Sequence, residues 1–222
     1  MYGAIRNYLR KNADQNIDGS VSEKQRKKRH KLFIDFSREL APPVKVIDLG
    51  GSDYYWRNLP SADLKNFEIT ILNNEIQNPG ENIKFINHDV RNLEFIGDNE
   101  YDVVFSNSLI EHISDPGDRK KLANEIKRIG KKFFIQTPNY YFPVEPHFLF
   151  PFFQFLPDSI KINLTLKYNL GWFQKQPDKE SAGRLVSSIR LLKQNELMEL
   201  FPGAKVVKEK YFLLNKSFII HN

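Results

Sequence analysis

Cysteine is absent from the 222 residues of this chain. Its absence excludes disulfide bonds, thiolate metal sites and a cysteine nucleophile, and it fits a protein kept in a reducing compartment. No other set of residues in the sequence has the spacing of metal ligands. We therefore expect no metal site.

Long apolar runs are also missing. No stretch reaches the roughly 18 to 20 apolar residues that a bilayer span requires, and Met1–Arg10 lacks the apolar core of a signal peptide. The hydrophobic share of 41% and the aromatic share of 13% are typical of a folded globular chain rather than a disordered one. A soluble, cytoplasmic protein is the expectation.

Positive charge is in excess, with a formal net charge of +6, and part of that excess lies in the run Lys24–Lys31. Such a run can bind nucleic acid or an anionic membrane surface. Leu32, Phe33, Phe36 and Leu40 follow it at near-helical spacing. We therefore interpret the run as the solvated face of a helix over residues 24–40 that ends before Pro42.

Short apolar segments rich in β-branched and aromatic residues recur after this helix and predict strands. They are Val44–Leu49, Phe67–Leu72, Ile83–Ile86, Tyr101–Ser106 and Lys132–Thr137. A helix is predicted over Asp118–Ile129. Strands that alternate with helices indicate βαβ units around a mostly parallel, doubly wound sheet, which binds ligands at the carboxyl ends of its strands.

The ends of the chain differ in character from this centre. Residues 1–23 are polar and predict a loose lead-in, whereas Tyr140–Tyr168 is rich in phenylalanine and proline and predicts an insertion that caps the sheet. Ser187–Phe201 has helical periodicity, and Lys205–Phe212 with Lys216–His221 predicts an antiparallel hairpin at the sheet edge. We divide the chain into an N-terminal segment, 1–40, and a main domain, 41–222, with an insertion at 139–185.

The first strand ends in a glycine turn that could hold a ligand. Asp48 closes the strand, and Gly50, Gly51 and Ser52 follow it. Residues with little or no side chain let the backbone approach a ligand closely. The carboxylate of Asp48 can accept hydrogen bonds from ribose hydroxyls, an amino group or backbone N–H groups.

Polar residues follow the later strands in a characteristic order. They are Asn73 and Asn74 after the second strand, Asp89 and Val90 after the third, and Ser106 and Asn107 at the end of the fourth, which leads into Leu109-Ile110-Glu111-His112. Together these motifs resemble the Rossmann-like (class I) S-adenosylmethionine-dependent methyltransferases, in particular the type-11-like small-molecule group. The resemblance implies a seven-stranded sheet with an antiparallel C-terminal hairpin, and S-adenosylmethionine as the cofactor held by these residues.

The sequence departs from the family pattern at three positions. Ser52 and Tyr54 stand where the family turn has its second and third glycines, and Asn73 replaces the usual acidic residue, with Glu75 as a substitute. A dinucleotide-binding dehydrogenase is the nearest alternative use of such a sheet. The acidic turn opposes it, because a carboxylate repels a pyrophosphate but attracts a sulfonium cation.

Two histidines are candidate general bases. His112 follows the fourth strand, and His147 lies in the insertion, where substrate-side residues gather in this family. Histidine titrates near neutral pH and can remove a proton from an acceptor hydroxyl. Asn139, Tyr140 and Glu145, together with His147, are the expected substrate-binding residues. A polar group beside the apolar run 148–156 suits a small or lipid-linked acceptor, methylated at oxygen.

Other interpretations stay open from the sequence alone. The chain could be a binding or scaffold protein that lost catalysis, as the altered glycine turn would allow. It could instead methylate nucleic acid through the basic run 24–31, although the segment after the fourth strand lacks the motif of many such enzymes. The aromatic insertion could also contact a membrane peripherally or form a homodimer.

Overall fold

The structure is a computed structural model that describes residues 2–14, 16–75 and 83–222. Its helices are α1 (Tyr2–Ala13), α2 (Val21–Ser37), α3 (Asp53–Arg57), α4 (Ser61–Leu64), α5 (Pro116–Ile129), α6 (Asp158–Lys167), α7 (Lys179–Ser187) and α8 (Gln194–Leu200). Its strands are β1 (Val44–Leu49), β2 (Phe67–Asn73), β3 (Ile83–Asn87), β4 (Tyr101–Asn107), β5 (Gly130–Pro138), β6 (Val144–Glu145), β7 (Phe150–Pro151), β8 (Lys205–Tyr211) and β9 (Leu214–His221). The five central strands predicted from the sequence agree with these bounds to within two residues.

Seven strands form one sheet in the order β3-β2-β1-β4-β5-β9-β8. The first five run parallel, β9 pairs antiparallel with β5, and β8 pairs antiparallel with β9. The predicted fold class, a doubly wound sheet with an antiparallel C-terminal hairpin at its edge, is confirmed. The carboxyl ends of β1, β2, β4 and β5 therefore lie along one edge of the sheet.

Apolar clusters cover both faces of this sheet. On one face Phe33 of α2 packs with Trp56 and Phe105, and on the other Leu122 and Ile126 of α5 lie against the strands. Because each central strand is buried on both faces, its sequence is a continuous apolar run rather than an alternating one. This explains why these strands could be recognised from the sequence.

The N-terminal segment differs from the prediction. Residues 2–13 form helix α1 instead of a loose lead-in, and α2 begins at Val21 and ends at Ser37 rather than covering 24–40. The solvated-face interpretation of the basic run is also wrong in part, because Arg26 and His30 are buried. Arg26 borders a polar cavity described below, and the ring of His30 packs edge to face on that of Tyr55.

The region after β5 also corrects one prediction. Ser187–Phe201 is not one helix: α7 ends at Ser187, α8 begins at Gln194, and Leu192 forms an isolated parallel bridge with Asn139. The insertion contains the short hairpin β6–β7 and helix α6, and has an apolar cluster of its own around Phe148. It lies beside the carboxyl end of β5.

Within the residues that the structure describes, no helix combines the length and the apolar character that crossing a membrane would require.

Phe33 anchors α2 to the sheet, since its side chain is fully buried against the rings of Trp56, Phe67, Phe105 and Phe134. Replacing Phe33 with alanine should lower the free energy of unfolding by about 3–5 kcal/mol, the usual cost of an aromatic cavity in a core. Urea denaturation measures this change. Phe212→Ala, at an exposed hairpin tip, is the control and should change stability by less than about 0.5 kcal/mol. Similar losses in both variants would contradict the packing.

Candidate active site

The glycine turn is built over a buried carboxylate. Asp48 is 1% exposed, and its Oδ2 accepts a hydrogen bond from the indole N–H of Trp56 at 2.8 Å. A Cβ added to Gly51 would lie 1.8 Å from that Oδ2 atom, so only glycine fits above the carboxylate. Oδ1 of Asp48 is buried without a hydrogen-bond partner among the described residues.

The chain after the turn shows the effect of the missing glycines. Gly50 has φ of +73°, a conformation that glycine adopts without strain, and a Cβ there would lie 2.6 Å from Leu109. Ser52 is the N-cap of α3, which has only five residues. Trp56, on this short helix, reaches back to Asp48. The altered turn therefore closes by an indole–carboxylate hydrogen bond.

A cavity of about 440 Å³ opens beside this turn, and we call it the strand-end cavity. Five of the residues predicted to bind the cofactor line it: Gly50, Asn73, Asn74, Asp89 and Val90. Glu75 and His112 line it as well. The structure thus brings the ends of β1, β2 and β3 and the segment after β4 around one space.

The strand-end cavity is lined by more acidic than basic groups. Glu75, Asp89, Asp115 and Asp118 line it, against the single guanidinium of Arg91. Arg91 holds both carboxylate oxygens of Asp89, with its Nη2 2.6 Å from Oδ2, and this pair lowers the pKa of Asp89. Such a lining suits a ligand that carries positive charge and no phosphate.

Asn73 shapes the cavity by closing it toward the turn. Its side-chain N–H donates to the carbonyl oxygen of Gly51 at 3.0 Å, and its Oδ1 accepts from the backbone N–H of Glu75 at 3.2 Å. The amide that replaces the family's acidic residue therefore holds the glycine turn against β2. Glu75 is exposed and lines the same cavity.

The two predicted bases lie together beside the strand-end cavity. The rings of His112 and His147 meet edge to face, with centroids 4.8 Å apart. Nδ1 of His147 is 2.7 Å from Oε1 of Glu145, which also accepts the backbone N–H groups of His147 and Phe148 through its Oε2. Glu145 thus fixes the orientation of the His147 ring.

The electrostatic environment separates the pKa values of the two histidines. Burial alone would lower the pKa of His147, but the hydrogen bond and charge of Glu145, with the charge of Glu111, raise it above its ordinary value. Burial lowers the pKa of His112 to about 4, with a further contribution from His147. One imidazole is therefore a stronger base than usual and the other stays neutral at pH 7.

Glu111 lies close to both histidines. It is fully buried, its Oε2 accepts a hydrogen bond from the hydroxyl of Thr137 at 2.9 Å, and burial raises its pKa. Ligand atoms of Glu111, His112 and His147 lie within 4.8 Å of one another, a spacing that a metal ion could also use. The sequence did not lead us to expect such a group.

A second cavity, of about 420 Å³, lies between α2 and the carboxyl ends of β4 and β5, and we call it the arginine cavity. Arg26, Arg29 and Lys216 line it together with Asn107 and Ser108 at the end of β4. A third cavity, of about 270 Å³, lies between the insertion and residues 186–196 and is lined by Tyr140 and Glu145. Of the predicted substrate-side residues, Tyr140 and Glu145 therefore border this third cavity, and none is among the residues that line the arginine cavity.

The remaining predicted site residues have structural partners. The hydroxyl of buried Ser106 donates to the carbonyl oxygen of Leu49 at 3.1 Å, and the side chain of Asn139 donates to the carbonyl oxygen of Asn215 at 2.8 Å. Asp48, Gly51 and Ser52 form the turn itself and are not among the residues that line the strand-end cavity. Their predicted cofactor contacts stay predictions.

Three residues near the site were not predicted from the sequence: Trp56, Arg26 and Lys216. Trp56 follows the turn by a few residues, so its proximity to Asp48 could have been considered as a local contact. Arg26 lies in a basic run that resembles an ordinary solvated face, and Lys216 lies on a hairpin that is distant in sequence. Only the tertiary arrangement brings these two side chains to the ends of β4 and β5.

Comparison with known proteins shows which family the sequence of this chain resembles. Residues 52–133 match the family model described as a methyltransferase domain, of the type-11 group. Two Mycobacterium tuberculosis proteins, both described as uncharacterized, are 37% identical over 60 residues, which is 27% of this chain and 20% of theirs. The chain thus matches about a fifth of the length of these relatives.

Solved structures show the same fold. A SAM-dependent methyltransferase from Methanosarcina mazei superimposes with a TM-score of 0.53 at 13% identity, covering 84% of this chain and 95% of that one. The YcgJ protein of Bacillus subtilis gives a TM-score of 0.50 at 13% identity, covering 82% of this chain and 70% of that one.

The sheet order and the fold are those of class I S-adenosylmethionine-dependent methyltransferases, and residues 52–133 match a methyltransferase-domain model. Within that class, the matched family model is the type-11 methyltransferase domain. The resemblance inferred from the sequence is confirmed, and the class implies S-adenosylmethionine as cofactor. The residues present fit it, because the unpartnered buried oxygen of Asp48 and the acidic lining of the strand-end cavity both suit a cationic nucleoside.

Burial raises the pKa of Asp48 from 3.8 to about 8, although the hydrogen bond from Trp56 opposes the shift. Between these two values the folded state holds a proton that the unfolded state has lost, so stability falls as pH rises toward about 8. Asp48→Asn removes this titration while keeping an acceptor for the indole. We expect its melting temperature to exceed that of the wild type increasingly between pH 5 and pH 8.5, by thermal unfolding. A difference that does not change with pH would contradict the buried acid.

The opposed histidine pKa values can be measured by NMR titration of side-chain resonances, after treatment with a chelator. His147 should titrate above 6.5 and His112 near 4. Glu145→Gln should lower the pKa of His147, because it removes the charge that stabilises the imidazolium. Glu180→Gln, on an exposed ion pair of α7, is the matched control and should leave both values unchanged. A His147 pKa insensitive to Glu145→Gln would refute the pairing.

Proposed function

We propose that this chain transfers the methyl group of S-adenosylmethionine to a hydroxyl oxygen of a small or lipid-linked acceptor. The observation that carries the proposal is the cluster of Glu145, His147 and His112 beside the strand-end cavity. A base with a raised pKa next to a cofactor cavity is the arrangement that oxygen methylation requires. The acceptor would approach over the carboxyl ends of β4 and β5.

The cofactor supplies a methyl group on a positively charged sulfur, which leaves as a neutral thioether. Residues around the strand-end cavity would hold it: Asn73 and Glu75 at the ribose, Asp89 and Val90 at the adenine, and the turn Gly50–Ser52 at the methionine end. The acidic lining stabilises the positive charge before transfer. It also disfavours phosphate-bearing nucleotides that would compete for the same space.

His147 has the geometry of the general base. Its Nδ1–H donates to Glu145, which leaves Nε2 as the proton acceptor. During methyl transfer, Nε2 would take the proton that the acceptor hydroxyl loses as its oxygen gains the methyl group. The resulting imidazolium is stabilised by Glu145 and Glu111. His112, with its pKa near 4, is too weak a base for this role and instead orients the His147 ring edge-on.

Several surface features support the lipid-linked form of the acceptor. Tyr141 and Phe152 of the insertion are 59% and 57% exposed, and Phe155 and Trp172 are also exposed. Aromatic side chains in such numbers favour contact with an apolar partner. We propose peripheral membrane contact through this surface, which would bring a lipid-linked acceptor to the site. A homodimer formed through the same aromatic side chains is the alternative use of this surface.

Two arginines of the basic run are turned away from solvent. Arg26 is buried, and Arg29 is bound to Glu209, whereas Lys24, Lys27, Lys28 and Lys31 are exposed. A nucleic-acid site needs cations that reach phosphates from the surface. Arg26 and Arg29 therefore suit a small anionic or neutral acceptor better than a nucleic acid.

His147→Gln should reduce methyl transfer by about 10²–10⁴-fold, the usual contribution of a general base. The assay follows label from methyl-tritiated S-adenosylmethionine into hydroxyl-bearing small molecules and lipid extracts. Cofactor affinity, measured by isothermal titration calorimetry, should stay within about 2-fold, because the histidine removes a proton and does not hold the cofactor. His88→Gln, whose ring packs on Phe95, is the control and should retain turnover. Parallel loss of affinity and turnover in His147→Gln would indicate a structural role and contradict the proposal.

A further inference from the structure

The arginine cavity contains a buried guanidinium whose N–H groups are not all hydrogen-bonded. Arg26 is 5% exposed, and its Nε and Nη1 are buried without a hydrogen-bond partner among the described residues. Its guanidinium instead lies 5.0 Å from the ring centroid of Tyr54. Burying a guanidinium with unsatisfied N–H groups is costly, so such groups usually mark the place of a missing partner.

Among the described residues no carboxylate forms an ion pair with Arg26, and Glu23, whose charge interacts with that of Arg26, is bound to Lys27. Arg29 holds Glu209 through two hydrogen bonds, of 3.1 and 2.7 Å, and also bonds to Asn107. Glu209 accepts a further hydrogen bond from Ser217 and is therefore fully engaged. Asp14, which also lines the cavity, accepts the backbone N–H of Asn16.

Lys216 adds a second positive group to the same space. It lines the arginine cavity, and within the described ranges no carboxylate lies within ion-pair distance of its ammonium group. Burial and the nearby charge of Arg29 lower the pKa of Lys216, although Glu209 opposes the shift. An anion in the cavity would relieve both the burial cost and the repulsion between these cations.

The arginine cavity adjoins the proposed reaction centre. Asn107 and Ser108 line it, while Leu109 and His112 line the strand-end cavity, so a single turn after β4 separates the two spaces. Pro146, the residue before His147, lines the arginine cavity as well. A molecule held in this cavity would lie next to both the base and the cofactor.

We propose that the arginine cavity binds an oxyanion, a carboxylate or a phosphate, carried by the methyl acceptor, with Arg26 and Lys216 as its ligands. The planar guanidinium can hold two oxygens at once, and the ammonium supplies a third contact. Phe142, Pro146 and Trp172 form an apolar wall for the body of the acceptor. The volume of about 420 Å³ accommodates a small molecule. The role of the anion as part of an acceptor rests on the proposed function, whereas the anion site itself does not.

The test follows the Arg26 side-chain Nε–H resonance and the backbone amides of α2 by NMR during titration with inorganic phosphate and, separately, with acetate. Sodium chloride at equal ionic strength is the reference. We expect a saturable shift of the Arg26 resonance at millimolar concentration with at least one of the two oxyanions, and the stronger of them identifies the acceptor group. Shifts with neither anion, or shifts no larger than those with chloride, would overturn the proposal.

Two pairs of variants assign the ligands. Arg26→Gln and Lys216→Gln should each weaken oxyanion binding about 10-fold or more, since each removes a charge-assisted contact. Arg57→Gln on α3 and Lys208→Gln on β8 are exposed controls and should bind as the wild type does. Unchanged binding in both Arg26→Gln and Lys216→Gln would refute the assignment.

Calorimetry with S-adenosylmethionine on the same variants separates the two proposals. Arg26→Gln should bind the cofactor as tightly as the wild type does while losing the oxyanion. Oxyanion binding in a protein that does not bind the cofactor would leave the site intact and remove the proposed function. Cofactor binding without any oxyanion binding would remove the oxyanion site and leave the proposed function intact.

Discussion

One buried hydrogen bond organises the carboxyl edge of this sheet: the indole N–H of Trp56 on the carboxylate of Asp48. A carboxyl group that is 1% exposed needs such a partner, and Trp56 can supply it only because α3 begins directly after the turn. The same carboxyl group leaves no room for a Cβ at Gly51. The shape of the turn is therefore tied to this carboxyl group. The strand-end cavity, and with it the assignment of the cofactor, depends on this arrangement.

The second constraint is that α2 buries polar side chains as well as apolar ones. A helix against a sheet normally turns an apolar face inward, and Phe33 does so, but Gln25, Arg26 and His30 are buried on the same helix. Buried polar groups are retained where they are paired or where a ligand pairs them. Arg29 is paired with Glu209. In our proposal a ligand pairs with Arg26, and α2 thus belongs to the site. The domain boundary at residue 40 stays a prediction.

The sequence was informative where local chemistry decides the structure. The buried parallel strands are continuous apolar runs rich in β-branched residues, so their bounds agree closely with the prediction. Five of the predicted cofactor residues line the strand-end cavity, whereas Asn107 lines the arginine cavity instead. Ser187–Phe201 was misjudged because Leu191 and Leu192 suit a helix as well as an extended link, and the bridge from Leu192 to Asn139 decides for the latter. The pairing of His147 with Glu145 is local, two residues apart. Its approach to His112, and the burial of Arg26, depend on tertiary packing that no single segment encodes.

The most direct test of the central claim is calorimetry with S-adenosylmethionine and S-adenosylhomocysteine on a variant whose strand-end cavity is filled. Val90→Trp adds bulk inside that cavity, while Ile189→Trp adds an indole to the cavity between the insertion and residues 186–196 and serves as the control. We predict micromolar binding of both ligands to the wild type and to Ile189→Trp, with a loss of about 10-fold or more in Val90→Trp. Absence of binding to the wild-type protein, or equal binding to all three proteins, would contradict the account.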